Sequence, residues 1–405
     1  MQISFSYTDY IIGVIGLMLI WSCNPNTEHT SIFEIDEFKI GEKQIPIDAV
    51  TGHNLRSMEL RNLASGPVLS YVNQRMARIY VHDWQSGRLL HYITLRKEGP
   101  WAVGESKIFG HSVMALDSVW CYNPDTYTLY LLGKDEHILN SYSLNHLLDN
   151  ALGHEVAFPE VGVNTPIQYL SRNQILLNGA LTNKSNDYTK VYTCLVVDLG
   201  SDSMYKRLPY PYIYNTGNFG DYLKYITYTL ALPKKNILVS SFPMRDSLLV
   251  TSMDGTFIRW VSSTSNLFEV ETIEPVGKMA NVDLPNREEQ WMYDFVTPGY
   301  SMLQYDSINQ LFFRMTVNRP ATDEIIKANG GDFRKHRGFS ILVMNDHLER
   351  IAEVNLPYDT YSPLCMFAEG GKLFLQPLPS LQPDEGFLTF HVFDLSKLKP
   401  DEHAQ

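Results

Sequence analysis

Apolar and polar residues along this chain alternate in short runs, without the 3.6-residue spacing of a long amphipathic helix. In "ARIYVHD", Ile79 and Val81 alternate with Tyr80 and His82. A period of two is what a strand with unlike faces requires, because successive side chains point to opposite sides. The runs come in groups. An apolar strand leads through a polar turn to a second strand, which ends in a polar hairpin before a third. "PVLSYVN", "ARIYVHD" and "RLLHYITL" form the first group, and "SVWCYNP", "YTLYLLGK" and "HILNSYSL" the second. Across six groups the second strand ends near Asp83, Gly133, Asp198, Met253, Asn345 and Asp394. The intervals of 50, 65, 55, 92 and 49 residues average about 62, room for four short strands and their loops. Ser86-Gly87 and Asp254-Gly255 fit the hairpins, since glycine supplies positive φ at no steric cost. "SLNHLLDNALGH" (Ser143–His154) is the best helical candidate.

Six copies of a three- to four-strand unit predict an all-β fold, a six-bladed β-propeller. One blade cannot bury both its faces, and ring closure lets each pack against two neighbours. The sixth copy lacks its last strand. The N-terminal run "SIFEIDEFKI" (Ser31–Ile40) is the spare, expected to pair with Phe387–Leu395 and close the ring.

Before this strand lies Ile11–Trp21, an apolar run of eleven residues. A spanning helix needs about 20, whereas eleven suits the core of a secretory signal peptide. Ile20-Trp21-Ser22-Cys23 resembles the lipobox of bacterial lipoproteins, with an aliphatic residue three before the cysteine and a small one just before it. The resemblance implies a signal peptide over 1–22, lipidation of Cys23, a polar tether over 23–30, one propeller over 31–398 and a short tail over 399–405. It implies a protein anchored by lipid at the outer membrane, facing the periplasm or the cell surface. A cleaved signal peptide without lipid is the alternative.

The repeat, the lipobox and "LRKEGPWAVG" (Leu95–Gly104) resemble the TolB-like six-bladed propeller lipoproteins of bacteria. "SSFP" (Ser240–Pro243) and "FFR" (Phe312–Arg314) point to one family among them, defined only as a domain of unknown function. The resemblance implies a fold and a compartment. It carries over no catalytic residue.

Composition narrows the partners. A net charge of -12 without a basic block disfavours nucleic acid. Apart from Cys23, the cysteines are Cys121, Cys194 and Cys365, each in an apolar strand-like run. Three buried free thiols are expected, with one disulfide and one free thiol as the alternative. No CxxC or Cys/His spacing suggests a metal, and no cofactor is expected. The GxSxG, HExxH, GxxxxGK[ST] and GxGxxG signatures are absent, and "SMDGTF" reads as an Asp-Gly hairpin.

Propellers hold ligands at the channel mouth, on loops between blades. Glu98 and Trp101 sit in such a loop. The Tyr-rich stretch Tyr210–Tyr228 includes Asn218, Asp221 and Tyr222, where rings beside an amide and a carboxylate suit sugar or peptide recognition. The competing reading packs its tyrosines between blades. His111 and Arg314 complete the candidates, although a satisfied loop histidine and a structural ion pair are the plainer readings. Two insertions, Asn266–Tyr300 and Arg319–Arg337, are expected to overhang the mouth. These features suit a non-catalytic binding or scaffold module for a peptide, glycan or protein partner. A glycoside hydrolase or lyase acting on extracellular polymers is the alternative.

Overall fold

A computed structural model describes residues 31–398, apart from 146–155, 182–184, 186, 202, 278–285, 320–337 and 383. Cys23, the basic run Arg334–Arg337 and most of the helical candidate Ser143–His154 lie outside the described residues. The described strands form six sheets, the blades, antiparallel but for one added edge strand, in chain order around a channel. Blade 1 runs outwards from Met58–Leu63 through Gly66–Asn73 and Arg78–Asp83 to Leu89–Thr94. Blades 2 to 5 repeat this order, with inner strands Gly110–Ala115, Gln168–Ser171, Tyr228–Leu232 and Gly299–Asp306. The sequence groups therefore begin at the second strand of each blade.

Blade 6 takes Tyr361–Glu369, Lys372–Pro377 and Phe387–Phe393 from the C-terminal part of the chain and its outer strand from the N-terminal part. That outer strand is Lys39–Pro46, antiparallel to Phe387–Phe393. The closure expected for the N-terminal strand is present, but the pairing segment lies further along the chain. Ile32–Glu34 instead joins the outer edge of blade 5, parallel to Arg350–Leu356. Between the two, a short 3-10 turn (Ile35–Phe38) buries Ile35 and Phe38 in the wedge between blades 5 and 6. Burying these two apolar side chains splits the run "SIFEIDEFKI" between two blades.

The core comprises one apolar wedge per blade interface. Val81 and Val113 meet between blades 1 and 2, and Tyr71 and Phe390 share the wedge between blades 1 and 6. Cys121, Cys194 and Cys365 occupy three different wedges, so they remain free and buried. Burial pushes the Cys194 thiol up to about 11 and the other two higher still.

Up-and-down strand order assigns the loops to two faces. Turns between second and third strands share one face with the blade-to-blade connections. The hairpins between first and second, and third and fourth, strands lie on the other. At Asp254-Gly255 the Asp254 carboxylate accepts from Thr256 N at 2.9 Å and Gly255 has φ +87°, so "SMDGTF" is a hairpin. Among the described residues, no helix is long and apolar enough to cross a membrane.

Candidate functional site

Several sequence candidates are consumed by the ring itself. His111 lies in the inner strand of blade 2 and is buried. Its Nδ1 is 2.6 Å from Ser57 Oγ and its Nε2 2.8 Å from Ser70 Oγ. Burial lowers its pKa to about 4, so it is a neutral bolt between blades 1 and 2.

Arg314 is fully buried between blades 4 and 5. Its guanidinium donates to the carbonyls of Asp246 (3.1 Å), Ser263 (3.3 Å), Phe242 (3.3 Å) and Arg245 (2.7 Å), and to Ser241 Oγ (2.9 Å). Its carbon centre lies 3.5 Å from the Tyr300 ring centroid. The expected ion pair is replaced by a cage of carbonyls, which use the five fixed donors of arginine. Burial lowers its pKa to about 10.

The loop holding Glu98 and Trp101 is exposed but turns outward. Trp101 packs on His137 with ring centroids 4.6 Å apart, and Arg96 pairs with Glu136 at 2.9 Å. Both partners belong to the hairpin between the third and outer strands of blade 2, away from the channel. Asn218 is buried, pairs its backbone with Gly277 and accepts from Gly220 N at 3.0 Å. Most of the surrounding tyrosines pack between blades 3 and 4, where Tyr210, Tyr214 and Tyr225 gather around Tyr188.

Asp221 and Tyr222 lie in the connection between blades 3 and 4, next to Leu223 and Lys224 and beside groups that the pattern did not single out. The insertion between blades 4 and 5 carries helix α1 (Arg287–Val296), started by a reciprocal Asn286–Glu289 cap. This helix presents Asp294, whose carboxylate accepts from Asp221 N at 3.1 Å. Gly220, at φ +92°, lies so close to Asp294 that a β-carbon there would strike the carboxylate. Lys224 is buried and donates to the carbonyls of Thr297 (2.6 Å) and Pro298 (3.2 Å). Burial lowers its pKa to about 8 despite the opposing charge of Asp294. Together with Tyr228 and Tyr300, these two line a small cavity of about 110 Å³. Half-buried Glu160 is raised by burial, against the pull of Arg56, and both act on the hydroxyl of Tyr222. The one available signal was Lys224, a lysine inside an otherwise apolar and aromatic run.

Arg56 also lines a larger basin on the same face, of about 1110 Å³, at the seam where blade 6 meets blade 1. Its walls come from the connection between those blades, the Asn73–Arg75 turn, Lys107–Ile108 and Glu385–Gly386. The hydrogen bonds Ile47 N to Gly386 O (2.8 Å) and Gln376 Nε2 to His53 O (3.0 Å) hold it at the seam. The opposite end of the channel opens as a basin of about 660 Å³, where Arg61 pairs with Glu59 and Lys235 with Asp346 while, among the described residues, Lys234 makes no ion pair. Among the described residues, no group of histidine, cysteine and carboxylate side chains could hold a metal.

None of the curated proteins is similar in sequence to this chain. Its fold is similar to that of a crystal structure from Bacteroides vulgatus, a member of the DUF4221 family. That likeness has a TM-score of 0.68 and 20% identity, covering 88% of this chain and 97% of the other. A candidate exported protein of Bacteroides fragilis is more distant, with a TM-score of 0.48 and 11% identity over 89% and 98% of the two chains. The model of the family described as a domain of unknown function, DUF4221, matches residues 31–354, most of the propeller, and the chain belongs to that family.

Proposed function

We propose that this protein is a non-catalytic binding module. It recognises a peptide, glycan or protein partner on the blade-connection face and is held at the outer membrane by lipid on Cys23. The seam basin carries the reading. It is a wide concavity on the face that gathers connections from neighbouring blades, with rigid, hydrogen-bonded walls. The groups of catalytic type nearby are occupied: the Lys224 ammonium by two carbonyls, His111 by two serines and Arg314 by its carbonyl cage. The lipobox-like Ile20–Cys23 supports the anchor. Several acyl chains on one cysteine hold far better than one.

Glycan and peptide arrays probed with the full chain in mild detergent test the binding. Saturable capture that Arg56→Gln with Arg75→Gln weakens is expected. Release of cleaved product from an extracellular polymer would overturn it in favour of an enzyme. For the anchor, Cys23→Ser should abolish incorporation of labelled palmitate and release the protein from the membrane fraction.

A further inference from the structure

Among the described residues, the seam basin gathers unpaired cations on an acidic chain. The chain carries a net charge of -12, yet the charged residues lining the basin are Arg56, Arg75 and Lys107 against Glu385 alone. Among the described residues, none of these three cations makes an ion pair or a side-chain hydrogen bond. Several cations elsewhere are matched: Arg96 with Glu136, Arg245 with Glu271, Lys97 with Glu105. Apart from the exposed Asn54, the neutral polar side chains of the basin are used in building its walls. Asn73 Nδ2 donates to Thr51 Oγ1 at 2.9 Å and Asn73 Oδ1 accepts from Met76 N at 3.0 Å. The amide of Gln74 donates to Phe109 O and accepts from Phe109 N, each at 2.9 Å. His53 Nε2 sits 3.0 Å from Phe387 O. The charged groups left to meet a ligand are therefore two guanidiniums and an ammonium against the single carboxylate of Glu385, with the amide of Asn54 beside them, above an aliphatic floor that includes Val50, Leu55 and Ile108.

We propose that the seam basin binds an acidic, aliphatic peptide segment of a protein partner. Guanidinium forks recognise carboxylates by paired, charge-assisted hydrogen bonds, and pre-set walls reduce the ordering cost of binding. Among the described lining residues there is no Phe, Tyr or Trp, so the stacking surface that sugars favour is missing, whereas aliphatic contacts suit peptide side chains. At about 1110 Å³ the basin exceeds the roughly 300–1,000 Å³ usual for small-molecule sites. This inference rests on the proposed binding function and names the class of its ligand.

Fluorescence anisotropy with a labelled octapeptide alternating Glu and Leu tests it on the full chain in mild detergent. Saturable binding is expected, at least ten-fold weaker for Arg56→Gln with Arg75→Gln and weaker as salt rises. The Gln–Leu counterpart should not bind. The substituted side chains are exposed, so an unchanged melting temperature should confirm that the variant folds. Equal affinity for the Gln–Leu peptide, or no effect of the double substitution, would overturn the inference. So would arginine-dependent binding of a sulfated oligosaccharide tighter than that of the peptide, although the binding reading would then survive. Absence of binding here together with blank arrays would sink both.

Discussion

The ammonium of Lys224 donates to the carbonyl oxygen of Thr297 at 2.6 Å, tying the connection between blades 3 and 4 to the insertion between blades 4 and 5. The contact places a buried cation at the channel mouth with Asp294 as its counter-charge. Lys224→Met would leave two carbonyls without their donor and Asp294 without its cation, and should cost about 3 kcal/mol. The pH dependence has a definite sign. The folded pKa is about 8 against an ordinary 10.5, so the unfolded chain holds the proton longer and the wild type gains stability as pH rises across that window. The gap between wild type and Lys224→Met should therefore be wider at pH 9.5 than at pH 7.5 in urea titrations. An unchanged gap would mean that Lys224 is not buried as a cation.

His111 provides an acid-sensitive joint. Its folded pKa of about 4 lies below the ordinary 6.5, so its contribution is complete above pH 6.5 and is lost as pH falls towards 4. The loss amounts to about 3 kcal/mol. His111→Asn should melt lower than wild type at pH 7.5 and show a flatter decline between pH 7 and pH 4. Parallel declines would remove His111 as their source.

Ring closure can be dissected from the N-terminal side. Deletion through Glu34 removes a three-residue parallel edge strand of blade 5 and should shift the melting temperature by only a few degrees. Deletion through Pro46 also removes Ile35, Phe38 and the outer strand of blade 6, and should lower it by at least about 10 °C or cause aggregation. Closely similar melts for the two truncations would show that the Lys39–Pro46 pairing does not hold the ring.

Arg314 should tolerate no replacement. Lysine has three donors where the carbonyl cage uses a planar fork, so Arg314→Lys should lose about 2 kcal/mol or more. Arg314→Met, which leaves the carbonyls unpaired, should lose about 3–5 kcal/mol. Chemical denaturation measures both, and a cost below about 1 kcal/mol for either would show that the cage does not hold blades 4 and 5 together.

The second and third strands of the blades were legible because both their faces are buried in wedges, which makes runs such as "ARIYVHD" apolar and dense. The inner strands escaped notice. "MELRNL" and "GHSVMA" carry Glu59, Arg61 and His111 within the strand, and this breaks the apolar signal. Tyr222 and Asp221 drew attention through their neighbours in the chain. Arg56, Glu160 and Asp294 had no such neighbours, since the mouth collects them from three different connections.

The sequence by itself determined the architecture: period-two strands, turn dipeptides at recurring intervals, and a sixth unit short of one strand that the N-terminal segment supplies. Local periodicity and strand count survive any change of neighbours, so they can be read along one dimension. Only the tertiary structure decided which polar side chains are spent and which are free. Arg314 and Arg56 look alike in the chain, yet one is caged by the carbonyls of the neighbouring blade and the other opens onto a basin and makes no ion pair among the described residues. That difference depends on which blades meet, and contacts between residues far apart in sequence leave no local mark.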